Sequence, residues 1–360
     1  MEEYKMKFLK NNSEILRDEQ GAVAIITAVI LAFVLFGTAA LAIDIGRLAT
    51  VKNELQNAAD AAALAKARHL YPQNNGEPNW LAAEQAPVPI NTAGGVELTE
   101  YEAEVGYWNL SGSPPNIQSS ATSDNDVPAV QVTVERSEDN NSGPITNFFG
   151  GLIGLSNSDV VAEAIAVTYP PGEIGPGQTF PVAIHQEFLN LYHDSGQDSE
   201  HNGLGEFVVV SSAYHSEDPE EAGQWTSLFS EANDRPTTRD LILNGNPDKI
   251  SKGDEIYIQP GTMTSLYNDT ESWLQDSPTV DEYGVPYRDV IMPVVKGDID
   301  NKSTKEWREV VGFVGIRITY AAGGNEKIIE GKFNHKYAGG GSGGAPGEYF
   351  EVSTIPALVK

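Results

Sequence analysis

Residues 22–43 read AVAIITAVILAFVLFGTAALAI, and this stretch without charge or proline decides the fold of the chain around it. As an α-helix it spans about 33 Å, which matches the hydrocarbon core of a bilayer. A buried helix of a soluble protein is the competing interpretation. An uncharged run of this length is difficult to cover in a chain that is polar on average. The stretch therefore predicts a transmembrane helix.

A cleaved signal peptide remains an alternative, because Ala40-Leu41-Ala42 is a small-x-small cleavage pattern behind an apolar run that follows lysines. Two features favour a retained helix. The run is longer than the apolar core of an ordinary signal peptide. The helical pattern also continues past Ala42 through Asp44-Ile45-Gly46-Arg47.

The composition restricts both partners and location. With 51 acidic and 23 basic residues the formal charge is -28, so phosphates are repelled and we expect no nucleic-acid partner. The absence of cysteine is compatible with an oxidising compartment. Positive charges nearly balance across the span, which leaves its orientation open: Lys5, Lys7, Lys10 and Arg17 precede it, and Arg47, Lys52, Lys66 and Arg68 follow it.

Beyond the span, residues 44–70 keep a helical period and predict an extramembrane continuation that ends before Pro72. One face carries a stripe of apolar and small residues, namely Leu48, Val51, Leu55, Ala58, Ala59, Ala62 and Ala65. Such a stripe admits close approach by a partner helix, and it equally suits a helix lying on its own domain. Asp44 and Arg47 share a face at the membrane edge, where we expect them to pair or to fix the depth of the helix, unless Arg47 only extends toward the headgroups.

The pattern of strand-like and helix-like segments in the remaining chain predicts α+β domains that are rich in strands. We expect an α+β domain at 71–169, a Pro/Gly-rich linker at 170–178 and a β-rich domain at 179–360. The individual predictions are a helical turn at Trp80–Gln85, short helices at Ile145–Leu155, Glu220–Phe229 and Thr237–Leu243, and an edge strand within Tyr349–Leu358.

No pattern for catalysis or metal binding emerges. His185, His193, His201 and His215 lack the spacing of metal ligands, and the acidic loops 193–202 and 297–301 do not match a calcium loop. Motifs for an activated serine, a zinc-bound water and a phosphate loop are also missing. We therefore expect a protein that is not an enzyme, with no catalytic residue, metal or cofactor.

Three sequence blocks surround the predicted span in a fixed order: RDEQGA (17–22) before it, DIGR (44–47) after it, and LQNAADAAALA (55–65) downstream. With these blocks, residues 17–67 resemble the TadE/TadG-like module of Tad (Flp) pilus assembly. The stretch 130–167, with TNFF (146–149), GL (154–155) and VVAEAIA (160–166), is similar to the region that follows this module in TadG-like proteins.

The resemblance implies a pilus-biogenesis component in the inner membrane, with residues 1–21 in the cytoplasm and the bulk of the chain in the periplasm or outside the cell. It implies the lipid bilayer, other Tad pilus-assembly proteins and further copies of the chain as partners. One departure concerns processing: pilins of this system carry a glutamate just after the cleaved glycine, whereas no acidic residue follows Gly21 before Asp44. A retained anchor is therefore expected.

Two other functions remain open. The same anchor suits an exported glycan-binding module or hydrolase, which a groove lined by Trp225, Trp273 and Trp307 would favour and their burial would not. Alternatively, the helix builds a filament, as pilin helices do.

Overall fold

The computed structural model describes residues 2–71, 77–112, 117–189, 207–211, 222–232, 234–259, 264–276, 279–297, 306–347 and 350–360. Its first element is helix α1 (Glu2–Ala67), which a 3-10 turn at Arg68–Leu70 prolongs. At 66 residues the helix is about 99 Å long. It passes through Asp44 without a break and ends where the sequence predicts, but it begins well before Ala22.

The apolar part of α1 is exposed on all sides. Twelve large apolar side chains from Val23 to Ile43 are 48–81% exposed, the highest value being that of Phe33. Among the described residues, α1 is the one helix that is long enough and apolar enough to cross a membrane. The length and composition expected of a transmembrane helix are thus present.

The other helices are short: α2 (Trp80–Gln85), α3 (Arg235–Asn244), α4 (Thr264–Gln275) and a 3-10 turn at Gly150–Ile153. The strands before residue 170 are β1 (Asn91–Ala93), β2 (Val96–Leu98), β3 (Glu102–Asn109), β4 (Asp126–Arg136), β5 (Ile145–Thr146), β6 (Asn157–Ser158) and β7 (Val160–Val167). Those after it are β8 (Glu173–Ile174), β9 (Val182–His185), β10 (Phe207–Ser211), β11 (Gly223–Thr226), β12 (Ile250–Ser251), β13 (Glu255–Gln259), β14 (Thr279–Val280), β15 (Pro286–Val295), β16 (Glu306–Ala322), β17 (Ile328–Phe333), β18 (Lys336–Ala338), β19 (Val352–Thr354) and β20 (Ala357–Leu358). The predicted α+β class, with one long helix and mostly β structure after it, is confirmed.

The chain divides into two compact units. The first comprises residues 1–59, 90–102 and 133–163, and the second comprises 60–89, 103–132 and 164–360. The first unit contains most of α1 and the small hairpins β1-β2 and β5-β6. A four-stranded sheet has the order β20-β7-β4-β3, so the last strand of the chain lies at its edge, as predicted.

An eight-stranded sheet dominates the second unit. Its order is β10-β17-β16-β13-β11-β9-β15-β14, and neighbouring strands pair antiparallel except β9 with β15, which are parallel. Strand β16 is 17 residues long and pairs with β13, β15 and β17. Its interior residues from Val310 to Ile318 are mostly buried, so the sheet forms the core.

Two expectations for this unit differ from the structure. The helix predicted at 220–229 is wrong: Gly223–Thr226 is strand β11, which lies between β9 and β13 and is buried apart from Gln224. Neighbouring strands on both sides satisfy its backbone, and this long-range pairing outweighs local preference. Helix α4 was not predicted, whereas α3 confirms the helix expected at 237–243.

Candidate functional site

Asp44 lies directly after the apolar stretch of α1 and is only 4% exposed, although its neighbours Ile43 and Ile45 are more than half exposed. Its carboxylate accepts three backbone hydrogen bonds from one segment, from the N–H groups of Phe148, Phe149 and Gly150, at 2.8, 2.9 and 2.7 Å. Hydrogen bonds to an ionised acceptor are roughly twice as strong as neutral ones. Asp44 therefore fixes residues 148–150 against the helix.

Arg47 holds the same segment from the next turn of the helix. Its Nη1 donates to the carbonyl oxygen of Thr146, and its guanidinium lies 4.7 Å from the centre of the Phe148 ring. That distance is within the range of a cation–π contact. The sequence predicts Asp44 and Arg47 as a pair at the membrane edge. In the structure both side chains bind the same segment, residues 146–150.

The bound segment belongs to a hairpin, defined here as the 145–158 hairpin, in which β5 pairs with β6 and the 3-10 turn lies between them. Asn147 closes it: its N–H donates to the carbonyl of Ser156, and its Nδ2 donates to the carbonyl of Leu155 and to Oγ of Ser158. Gly154 has φ of 88°, a left-handed conformation suited to glycine.

The short helix predicted at Ile145–Leu155 is therefore wrong. Three glycines, Gly150, Gly151 and Gly154, lower the helical propensity of this stretch. The N–H groups of 148–150 also bind the carboxylate of Asp44, a partner that is distant in sequence. An α-helix over 145–155 would use the N–H groups of residues 149 and 150 for its own hydrogen bonds and would give up those to Asp44, so only the 3-10 turn at Gly150–Ile153 is helical.

The small-residue stripe of α1 lies largely inside the chain. Val51, Leu55, Ala58, Ala59 and Ala62 are at most 2% exposed, whereas Leu48 and Ala65 are partly buried. Polar residues beside the stripe form hydrogen bonds with other segments of the first unit. Glu54 accepts the N–H of Gly94 at 2.7 Å, Lys52 donates to the carbonyl of Val161, and Gln56 donates to that of Glu163 at 2.9 Å.

Two buried cations were not among the residues selected from the sequence. Lys66 is 5% exposed, and its Nζ donates to the carbonyl oxygens of Glu84 and Ala86 at 2.7 and 2.8 Å. Burial lowers the pKa of Lys66, against the opposing effect of Glu84. Arg136, also 5% exposed, donates to the carbonyls of Gly143 and Ala93 at 2.9 and 2.8 Å. The sequence could have indicated both residues, because each is a charged residue at a position where the helical or strand periodicity predicts a buried side chain.

The first unit also contains a cavity of about 450 Å³ whose lining is polar and acidic, from Thr99, Glu100, Tyr101, Glu102, Thr133, Glu135 and Asn140. Asn141 supports its wall by accepting the N–H groups of Thr99 and Glu100 and by donating to the carbonyls of Glu100 and Glu135. Among the described residues, no group of three or more His, Cys, Asp or Glu side chains is arranged to hold a metal ion.

The histidines do not come together in the described residues. His185 is 2% exposed on β9, while His193, His201 and His215 lie outside the described residues. The acidic loop 193–202 and residues 298–301 of the second acidic loop are also outside them. These segments keep the status of sequence predictions.

The tryptophans do not line a common groove. Trp225 is 2% exposed and belongs to the core of the eight-stranded sheet, and Trp273 packs against that core. Phe180 lies between them, with its ring centre 6.1 Å from that of Trp225 and 5.4 Å from that of Trp273. Trp307 is 38% exposed and contacts Tyr257 edge-on. A groove lined by all three tryptophans, which would favour glycan binding, is therefore not formed by these side chains.

Residues 38–166 match a family model described as putative Tad-like Flp pilus-assembly. The match begins inside the apolar stretch, includes Asp44 and Arg47, and ends in β7 after the 145–158 hairpin. Comparison with curated proteins and with solved structures gave no match. The resemblance read from the sequence is thus confirmed over the part of the chain that contains the site.

Proposed function

We propose that this chain, with its Tad-like domain over residues 38–166, is a single-pass membrane component of Tad (Flp) pilus assembly that is not an enzyme. One observation carries the proposal. A single uninterrupted helix, α1, is apolar and exposed from Val23 to Ile43, and from Val51 onward one of its faces is buried within the region that matches the Tad-like family model. The domain is therefore joined to the span without a flexible linker.

The arrangement suits an anchor whose folded part lies against the membrane. Residues 22–43 span the inner membrane, residues 1–21 remain in the cytoplasm, and the acidic remainder lies in the periplasm or outside the cell. Support comes from the apolar surface of α1 and from the formal charge of -28 without any cysteine. Exported segments 71–169 and 179–360, separated at 170–178, then face the partners outside the cytoplasm.

Asp44 and Arg47 mark the outer edge of the span in this proposal. An ionised carboxylate at a bilayer edge is costly unless its charge is satisfied, and the three N–H groups of the 145–158 hairpin satisfy that of Asp44. Arg47 lies one turn farther along, where a guanidinium reaches lipid phosphates. Both residues thereby fix the depth at which the helix leaves the membrane.

The partners follow from the same geometry. Exposed apolar side chains between Val23 and Ile43 are available to lipid, to helices of other Tad pilus-assembly proteins and to further copies of this chain. A rigid helix that enters the folded domain directly couples the orientation of the domain to contacts made inside the membrane. Assembly therefore proceeds through helix contacts and exported surfaces.

The test combines gene deletion with fractionation and intact-mass analysis. Deletion abolishes piliation, complementation restores it, and the full-length chain is recovered from the inner membrane. Normal piliation of the deletion strain contradicts the pilus role. A chain that starts at Gly21 or Ala22 in sheared filaments indicates a filament subunit, and a soluble chain that starts after Ala42 indicates a cleaved signal peptide.

A further inference from the structure

The 145–158 hairpin is unusually apolar for this chain. No charged residue occurs from Asn140 to Ser158, although the chain has 51 acidic and 23 basic residues. The sequence of its turn, FFGGLIGL (148–155), contains five large apolar residues. In the structure Phe148 is 67% exposed, Leu155 59% and Phe149 40%, so much of this apolar surface faces outward.

The position of the hairpin is fixed by its hydrogen bonds to α1. Asp44, the first residue after the apolar stretch, accepts the N–H groups of residues 148–150, and Arg47 binds Thr146 and Phe148. Hydrogen-bond distances of 2.7–2.9 Å hold the turn level with the end of the span. Exposed Ile43 and Ile45, at 53% and 57%, flank Asp44 and continue the apolar surface of the helix to this level.

We propose that the 145–158 hairpin inserts Phe148, Phe149 and Leu155 into the lipid interface beside α1, as a second contact of the folded domain with the bilayer. The inference rests on the proposed function, because it requires α1 to span the membrane. Aromatic and aliphatic side chains gain free energy when they leave water for this interface, and aromatic residues are enriched there.

Part of the turn backbone is already hydrogen-bonded within the protein, which suits that environment. The N–H groups of 148–150 bind Asp44, the carbonyl of Leu155 accepts from Asn147, and the N–H of Leu155 donates to the carbonyl of Gly150. Unsatisfied backbone groups would be costly in a lipid environment. Two contacts at one depth, the helix and the hairpin, restrict tilt and rotation of the helix about its axis.

Lipid is the favoured occupant because the hairpin surface is continuous with that of the span. A groove for a partner helix would require walls, whereas Phe148 and Leu155 project from a turn and are more than half exposed. The guanidinium of Arg47, beside the Phe148 ring, lies where a lipid phosphate meets the apolar layer.

The absence of cysteine from the chain permits a direct test of depth. Full-length protein with one introduced cysteine is labelled with the fluorophore NBD and reconstituted alone in phosphatidylcholine/phosphatidylglycerol vesicles. Phe148→Cys and Leu155→Cys report on the hairpin, and Ile30→Cys, 59% exposed, reports on the span. Ile90→Cys, 81% exposed in the same unit, is the matched control. It precedes β1, and Gly94, just after β1, donates its N–H to Glu54, which lies about 15 Å beyond Asp44 along α1. Lipids with a nitroxide at a shallow or a deep acyl position quench nearby NBD.

The inference predicts loss of NBD fluorescence at Phe148→Cys and Leu155→Cys with the shallow nitroxide, a smaller loss with the deep one, and no loss at Ile90→Cys. Quenching at Ile30→Cys without quenching at either hairpin site overturns the inference and leaves the membrane span intact. Hairpin probes that are shielded from aqueous iodide but unaffected by both nitroxides overturn it in favour of a protein partner, here another copy. Quenching at Ile90→Cys equal to that of the hairpin overturns it in favour of general adsorption. Absence of quenching at Ile30→Cys refutes the span and the inference together.

Discussion

Truncation of Leu55 to alanine tests whether the stripe of α1 is part of the folded core. Leu55 is 0% exposed and lies on the buried face with Ala58 and Ala59. Replacing a fully buried leucine by alanine removes its transfer free energy and leaves a cavity, which costs about 2–5 kcal/mol. Small alanine neighbours cannot move in to fill the space. We therefore expect Leu55→Ala to lie in the upper part of this range.

The measurement is pulse proteolysis of the detergent-solubilised full chain across a urea series, which reports the midpoint of global unfolding. With an m-value of about 3 kcal/mol/M, a loss in the upper half of this range lowers the midpoint by roughly 1.2–1.7 M. Asn53→Ala is the matched control, because Asn53 is exposed on the opposite side of the same helix, two residues before Leu55. Surface changes of this kind usually stay within about 0.5 kcal/mol. Equal midpoints for Leu55→Ala and Asn53→Ala would refute the assignment of the stripe to the folded core. They would favour a stripe that is exposed in the single chain and binds a partner helix.

Three further outcomes are expected. Asp44→Ala accelerates hydrogen exchange of the Phe148–Gly150 amides, since their acceptor is lost, and Asp44→Asn does so less because one acceptor oxygen remains; unchanged exchange would contradict the anchor. Trp225→Ala lowers the free energy of unfolding by about 3–5 kcal/mol in the urea series and Trp307→Ala by clearly less, because only Trp225 is fully in the core; the reverse order would reopen the glycan groove. The hydrogen bond from the Thr122 N–H, together with those from Asn109 and Ser123, holds the pKa of Asp126 below its usual value. Ionised Asp126 therefore stabilises the folded state at neutral pH, and this stabilisation is lost as the pH falls below about 4. The difference in unfolding free energy between wild type and Asp126→Asn should therefore shrink over that pH interval, and a difference that does not depend on pH would be inconsistent with this cause.

Local patterns were sufficient wherever one element decides its own structure. The uncharged run at 22–43 and the helical period at 44–70 predicted one long helix, because both its apolar content and its periodicity are properties of consecutive residues. The turn at Trp80–Gln85 and the helix at 237–243 were recognised for the same reason. The resemblance at 17–67 came from motifs in this same stretch, and the family model matches its part from residue 38 onward.

Long-range contacts decided the rest. The sequence placed Asp44 and Arg47 on one helical face, but residues about a hundred positions later determine what they bind. The 145–158 hairpin was mistaken for a helix because its acceptor, Asp44, is invisible to any local pattern. Strand β11 was mistaken for the same reason, since its neighbours β9 and β13 supply the hydrogen bonds.

The sequence by itself determined that the chain has an apolar helix long enough to cross a membrane and that this helix continues into a region that matches a Tad-like family model. Only the tertiary structure decided that the charged residues at the end of the apolar stretch hold an apolar hairpin level with it. The physical reason is that helix length and amphipathicity are sums over neighbouring residues. The satisfaction of a buried carboxylate depends instead on which distant backbone groups the fold brings to it.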